Sequence, residues 1–142
     1  MSDPLAAEPR HVFVYGTLRP ALATGEPRLL IEPLQPVGPA TVQGLLYDLG
    51  DYPGLVAGSG TVHGDLLAIA TAGQLAALDA YEECGPPAAL FCREQAAAQR
   101  PDGTSLAVWV YRYFRPVDQA KPIPAGDYAG YLRSRSRPWE HS

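Results

Sequence analysis

Val12-Phe13-Val14-Tyr15-Gly16-Thr17-Leu18-Arg19-Pro20 reads as a strand that runs into a glycine turn. Its first half is apolar and β-prone, as a strand packed against a core requires. The strand stops at Tyr15-Gly16. Gly16 has no Cβ, so it tolerates a left-handed or otherwise strained backbone and lets a ligand approach closely. Thr17 and Leu18 carry backbone N–H groups round a bend, where successive donors form an anion-sized nest. Pro20 stops the run from continuing as a strand interior.

Downstream the chain reads as further strands with one clear internal helix. Leu22–Pro39 holds four prolines and reads as an irregular crossing with a short helical piece around Arg28–Ile31. Thr41–Asp48 has strand character, and the composition of Gly50-Asp51-Tyr52-Pro53-Gly54 makes it a turn. Leu55–Ala57 reads as a short strand, joined through Gly58-Ser59-Gly60 to another over Thr61–Ala70. Leu90–Ala98 and Ser105–Phe114 flank Arg100-Pro101-Asp102-Gly103, a hairpin signal. A short helix is expected over Asp127–Ser134.

Thr71-Ala72-Gly73-Gln74 fits a capping box, with Thr71 as N-cap and Gln74 reaching back to its N–H. The helix it opens runs to about Glu82 or Glu83, before Cys84-Gly85-Pro86-Pro87. Leu75, Leu78 and Glu82 then share one face. Glu83 falls about 100° further round, and Asp79 is intermediate. A carboxylate on a core-facing stripe is costly unless it is neutral, paired or open to a cleft. Glu82 either pairs with an arginine such as Arg93 or faces a cleft. In a cleft, desolvation raises its pKa toward neutrality, where a group serving as both acid and base works best.

Composition excludes several classes. At 142 residues, 46% hydrophobic and 18% charged, the chain is a globular domain of ordinary make-up rather than a disordered one. The expected organisation is a flexible stretch over 1–10, one domain over 11–135 and a flexible tail over 136–142. The net charge of −4 comes without a dense basic patch. Arg133, Arg135 and Arg137 read as a solvated tail, so no nucleic-acid partner is expected. No apolar run approaches a membrane span and Met1–Arg10 lacks a signal-peptide core, so a soluble cytoplasmic protein with no membrane partner is expected. Cys84 and Cys92, with seven residues between them, do not form a metal motif. They read as two thiols, and nothing in the spacing forces a disulfide. His11, His63 and His141 are scattered, so no metal site is expected. Oligomeric state is not readable.

The Tyr15-Gly16-Thr17-Leu18-Arg19-Pro20 string resembles the signature loop of the γ-glutamylcyclotransferase-like superfamily, which includes γ-glutamylamine cyclotransferases and AIG2-like proteins. Leu78-Asp79-Ala80-Tyr81-Glu82 resembles its Leu-Asp-x-x-Glu segment. Gly44–Gly50 with Tyr52-Pro53, Val62-His63-Gly64-Asp65-Leu66, Ala107–Tyr111 and Ile123–Tyr128 resemble later blocks, in order. The departures are Phe91-Cys92-Arg93 where the family has Tyr-x-Arg, Glu83 where Gly often follows the glutamate, and Ala21 for a common glycine.

The resemblance implies an α+β fold: a mixed, barrel-like sheet of about six or seven strands with a few peripheral helices. It implies cyclisation of a small-molecule γ-glutamyl substrate to 5-oxoproline with release of an amine and without a cofactor. Glu82 is then the catalytic acid/base. Tyr15, Gly16, Thr17, Leu18, Arg19, Tyr52 and Tyr111 are the substrate-binding candidates, with Tyr113 a further pocket wall. The oxyanion donor is either a loop N–H or a tyrosine hydroxyl. The alternative is a small-molecule, carboxylate-binding protein that does no chemistry, or an AIG2-like structural or interaction protein of unknown physiological role.

Overall fold

A computed structural model describes residues 9–50, 52–82 and 91–135. The expectations for Glu83, Cys84, Arg137, His141 and the outer parts of both termini lie outside the described residues. The element order is β1 (His11–Val14), α1 (Glu26–Ile31), β2 (Gln35–Asp48), β3 (Pro53–Ala68), α2 (Ala72–Tyr81), β4 (Phe91–Gln99), β5 (Ser105–Tyr113), β6 (Lys121–Pro122) and α3 (Tyr128–Arg135).

Five strands close into a mixed barrel. β1 pairs antiparallel with β3, β3 with β2, β2 with β4 and β4 with β5. The ring closes where β5 meets β1 in parallel, at Val12 opposite Trp109. β6 extends the end of β2 through Tyr47–Pro122 and Asp48–Lys121. The α+β, barrel-like architecture expected from the resemblance is therefore present, with six strands and three small helices among the described residues. None of these helices is long and apolar enough to cross a membrane.

The apolar run of β1 is explained by burial on both faces, which removes the usual in–out alternation. Phe13, with Tyr15 beyond the strand end, packs into a cluster with Val42, Leu46, Leu55, Val62, Leu66, Val108 and Val110. Val12 and Val14 point the other way, to Leu18, Ile31 of α1, Leu78 of α2 and Tyr111. The two small helices thus cover the second face of β1, and α2 is brought up to the end of that strand.

Three expectations are corrected. The glycines at 58 and 60 do not separate two strands, because β3 runs through them. Gln43 faces Thr61 while Leu45 faces Val56, so the register shifts and a bulge absorbs the extra β3 residues. A Cβ on Gly58 would stand 2.4 Å from Leu45 Cγ, and one on Gly60 2.9 Å from Gly44 O. These glycines therefore permit close packing rather than a turn. Likewise β2 begins at Gln35, six residues before the expected start at Thr41. Its Pro36 sits at a second register shift, one of the few strand positions that accept proline. Finally, Tyr52-Pro53-Gly54 is not all turn, since Pro53 and Gly54 already pair with Asp48 and Tyr47.

Candidate active site

The capping box forms as expected. Gln74 N–H donates to Thr71 Oγ1 at 3.2 Å, and Thr71 N–H donates to Gln74 Oε1 at 3.3 Å. Leu78 docks α2 on the core at 1% exposure. One turn later the helix ends, with Glu82 as its C-cap residue. The docked face thus carries Glu82 to the end of β1, where the Tyr15–Leu18 turn begins.

There the two frame a cavity of about 230 Å³. Its wall comprises Phe13–Leu18, Tyr52 and Pro53 at the start of β3, Tyr81 and Glu82, Phe91 of β4 and Tyr111 of β5. Drug-sized ligands occupy about 300–1,000 Å³, so this cavity suits a smaller molecule or one end of a longer one. Of the sequence-derived site residues, Tyr15, Gly16, Thr17, Leu18, Tyr52, Glu82 and Tyr111 come together here. Tyr113 stands behind the wall, packed edge-on to Phe91 at 5.4 Å between ring centroids. The Tyr52 ring also packs on Phe91, at 5.8 Å between centroids.

Arg19 is not in the wall. Its Nε donates to Asp65 Oδ2 at 2.8 Å and its Nη1 to Asp127 Oδ1 at 3.1 Å, fixing the turn to β3 and to the start of α3. Gly16 also differs from expectation, since it does not adopt a positive φ. The group that uses its missing Cβ is the Pro53 ring. The turn closes by a hydrogen bond from Arg19 N–H to Gly16 O at 2.9 Å. Among the described residues, no turn or loop carbonyl takes the N–H of Gly16, Thr17 or Leu18.

The Glu82 carboxyl makes no hydrogen bond or ion pair among the described residues, while its backbone N–H donates to Leu78 O at 2.9 Å. Arg93, the partner that sequence reasoning offered it, binds Asp79 instead, Nε to Oδ1 at 2.9 Å. Burial without a partner pushes the Glu82 carboxyl up to about 7. Its charge reaches the Tyr15, Tyr81 and Tyr111 hydroxyls, all held above the usual tyrosine range chiefly by burial.

The tyrosine hydroxyls are committed in ways that sequence does not reveal. Tyr15 Oη donates to Tyr111 O at 2.6 Å and accepts from Leu55 N–H at 3.2 Å. Tyr111 Oη donates to Asp79 Oδ1 at 2.6 Å. A hydroxyl has one proton to give, so neither has a donor left for a ligand oxyanion. Tyr81 and Thr17 both line the cavity, one from the helix end and the other from the turn. Sequence reasoning missed Tyr81, Pro53 and the pairing of Asp79. The i, i+3 spacing of Asp79 and Glu82 was the available signal, since it puts the two on neighbouring positions of one face.

The chain matches the family model described as gamma-glutamyl cyclotransferase, AIG2-like, over residues 12–130. It is 38% identical over 118 residues to the gamma-glutamylcyclotransferase family protein YtfP of Escherichia coli K12, covering 82% of this chain and 94% of that one. The solution structure of E. coli YtfP superposes with a TM-score of 0.62 at 35% identity, over 86% of this chain and 98% of that one. A mouse AIG2-like protein shares the fold, with a TM-score of 0.69 at 20% identity over 85% of this chain and 88% of that one.

Proposed function

The chain belongs to the gamma-glutamyl cyclotransferase, AIG2-like family, and from that premise we propose that it releases an amine from a γ-glutamyl amine or peptide by closing the glutamyl group into 5-oxoproline. The observation that carries this reading is the Glu82 carboxyl, unpaired among the described residues and lifted to about 7, which shares one small cavity with the Gly16–Leu18 turn.

The reaction joins the substrate's α-nitrogen to its own side-chain amide carbon and breaks the bond from that carbon to the departing nitrogen. Nucleophile and electrophile are tethered, so the protein needs only to fold the substrate and manage protons. The α-carboxylate fits the N–H groups of the Gly16–Leu18 turn. Ring closure takes two protons off the α-nitrogen and puts two on the amine, which leaves as an ammonium. Glu82 is one carboxylate and ends as it began, so it carries them one at a time. A carboxyl lifted from 4.5 to about 7 takes the first proton of the α-ammonium at about 3 kcal/mol less cost. With the Tyr15 and Tyr111 protons engaged elsewhere, the donor for the oxyanion is a turn N–H that the α-carboxylate leaves free or the hydroxyl of Tyr81.

The test is direct. Purified protein is incubated with γ-glutamyl-ε-lysine and a panel of γ-glutamyl amines and peptides, and 5-oxoproline is measured. Release of 5-oxoproline with the free amine is expected from at least one member. No product from any would overturn the reading and leave a carboxylate-binding protein.

A further inference from the structure

We propose that Asp79, acting through Tyr111, builds the recognition site for the substrate's α-ammonium, with Tyr111 Oη as the acceptor and Asp79 as the positioning residue that fixes its polarity.

Tyr111 lines the cavity, and its hydroxyl proton goes to Asp79 Oδ1, which lies outside the wall, at 2.6 Å. That length is typical of a hydroxyl donating to a carboxylate. What the oxygen has left to offer the cavity is a lone pair. The carboxylate behind it polarises the hydroxyl and makes that lone pair a stronger acceptor. Such an oxygen suits an N–H donor, above all a cationic one, and repels a carboxylate or oxyanion.

Asp79 is held so that this polarity cannot reverse. The same Oδ1 forms an ion pair with Arg93 Nε at 2.9 Å. The Arg93 guanidinium lies 4.3 Å from the Trp109 ring centre, a cation–π contact that fixes it on the sheet. Tyr111, Arg93 and Trp109 come from paired strands, with Arg93 directly opposite Tyr111 and Gln95 opposite Trp109. Arg93 pairs with Asp79 and leaves Glu82, one turn further on, as the carboxyl without a cation among the described residues. The helix thus presents two carboxyls with different tasks: Asp79 as a fixed charge, Glu82 as a proton carrier. The cavity wall contains no Lys, Arg or His among the described residues. Its polar character therefore selects for a cation at this corner and for the α-carboxylate at the turn.

Assigning the cation to an α-ammonium rests on the cyclotransferase reading, so the test measures binding rather than turnover. Glutamate and glutarate differ only in the α-amino group. Their affinities are measured by calorimetry at pH 8, where Glu82 is a carboxylate in every protein compared. Wild-type protein should bind glutamate tighter than glutarate. In Asp79→Asn the side-chain amide can donate to Tyr111 Oη, and in Tyr111→Phe the acceptor is gone. In both, the glutamate-to-glutarate preference should fall roughly ten- to a hundredfold, the range for a hydrogen bond to a charged group. Glutarate affinity should change little, and circular dichroism should match wild type. A structural role alone would weaken both ligands together and leave the ratio unmoved. An unchanged ratio in Tyr111→Phe, or no glutamate preference in wild type, overturns the proposal. A fall in the ratio supports it even if no γ-glutamyl compound is turned over, so the two readings fail separately.

Discussion

The Pro53 ring stands so close to Gly16 that a Cβ on Gly16 would lie 2.6 Å from its Cγ and 2.7 Å from its Cδ. This contact locks the turn after β1 to the first residue of β3, and a proline ring has little freedom to give way. Gly16→Ala must displace either the turn or Pro53. Overpacking of this kind costs about 1–3 kcal/mol. The turn's N–H groups move with it, so KM for a γ-glutamyl substrate should rise. Adding Pro53→Ala removes the ring and should recover part of both losses. Thermal unfolding and substrate kinetics on the single and double variants check this. A Gly16→Ala protein with wild-type Tm and KM would show that the turn is not held there.

Arg19 sits beside the turn yet bridges Asp65 and Asp127, and its side chain is only 16% exposed. Arg19→Ala should therefore lower stability by about 2 kcal/mol, the scale of charged hydrogen bonds lost. KM at the wild-type working temperature should change by less than about threefold, since its guanidinium serves no ligand directly. Urea denaturation measures the first and steady-state kinetics the second. A large rise in KM with unchanged stability would return Arg19 to the substrate.

What the sequence makes legible is local. The β1 run, the Thr71–Gln74 capping box and the Arg100–Gly103 hairpin each depend on neighbouring residues, and each forms where it is read. The placement of Glu82 in the cavity follows from helical spacing for the same reason. The missed features all depend on partners distant in sequence. Gly58 and Gly60 look like a break until Leu45 and Gly44 are packed on them. Arg93 looks like a partner for Glu82 until strand pairing sets it opposite Tyr111, within reach of Asp79. Tyr15 looks like a ligand hydroxyl until Leu55 and the Tyr111 carbonyl claim it, the latter from 96 residues away.

The pH dependence of turnover follows from Glu82. It must be a carboxylate to accept the first proton, and burial sets its titration near 7. The tyrosines around it titrate elsewhere. Tyr15, Tyr81 and Tyr111 are pushed upward and stay neutral, and Asp79 faces Arg93. Log kcat/KM should thus rise with unit slope below an apparent pKa of about 7. A limb centred near 4.5 would show that the Glu82 carboxyl is paired or well solvated in the free protein, contrary to its buried position.

Glu82→Gln separates chemistry from stability. Loss of the acid/base should lower kcat/KM about 10²–10⁴-fold, and the limb near pH 7 should vanish. Stability should move the other way. In the unfolded chain Glu82 titrates near 4.5, and in the folded protein near 7. Below 4.5 it is protonated in both states and folding is indifferent to it. Between 4.5 and 7 the unfolded chain releases its proton while the folded protein retains it, so stability falls as pH rises. Above 7 the full penalty is present, at most about 3 kcal/mol and less to the extent that the cavity admits water. Glutamine carries no such penalty. Thermal unfolding should then show Glu82→Gln close to wild type at pH 4 and more stable at pH 8. A variant that loses stability at pH 8 would show that the carboxylate is paired there, contrary to its unpartnered position in the cavity.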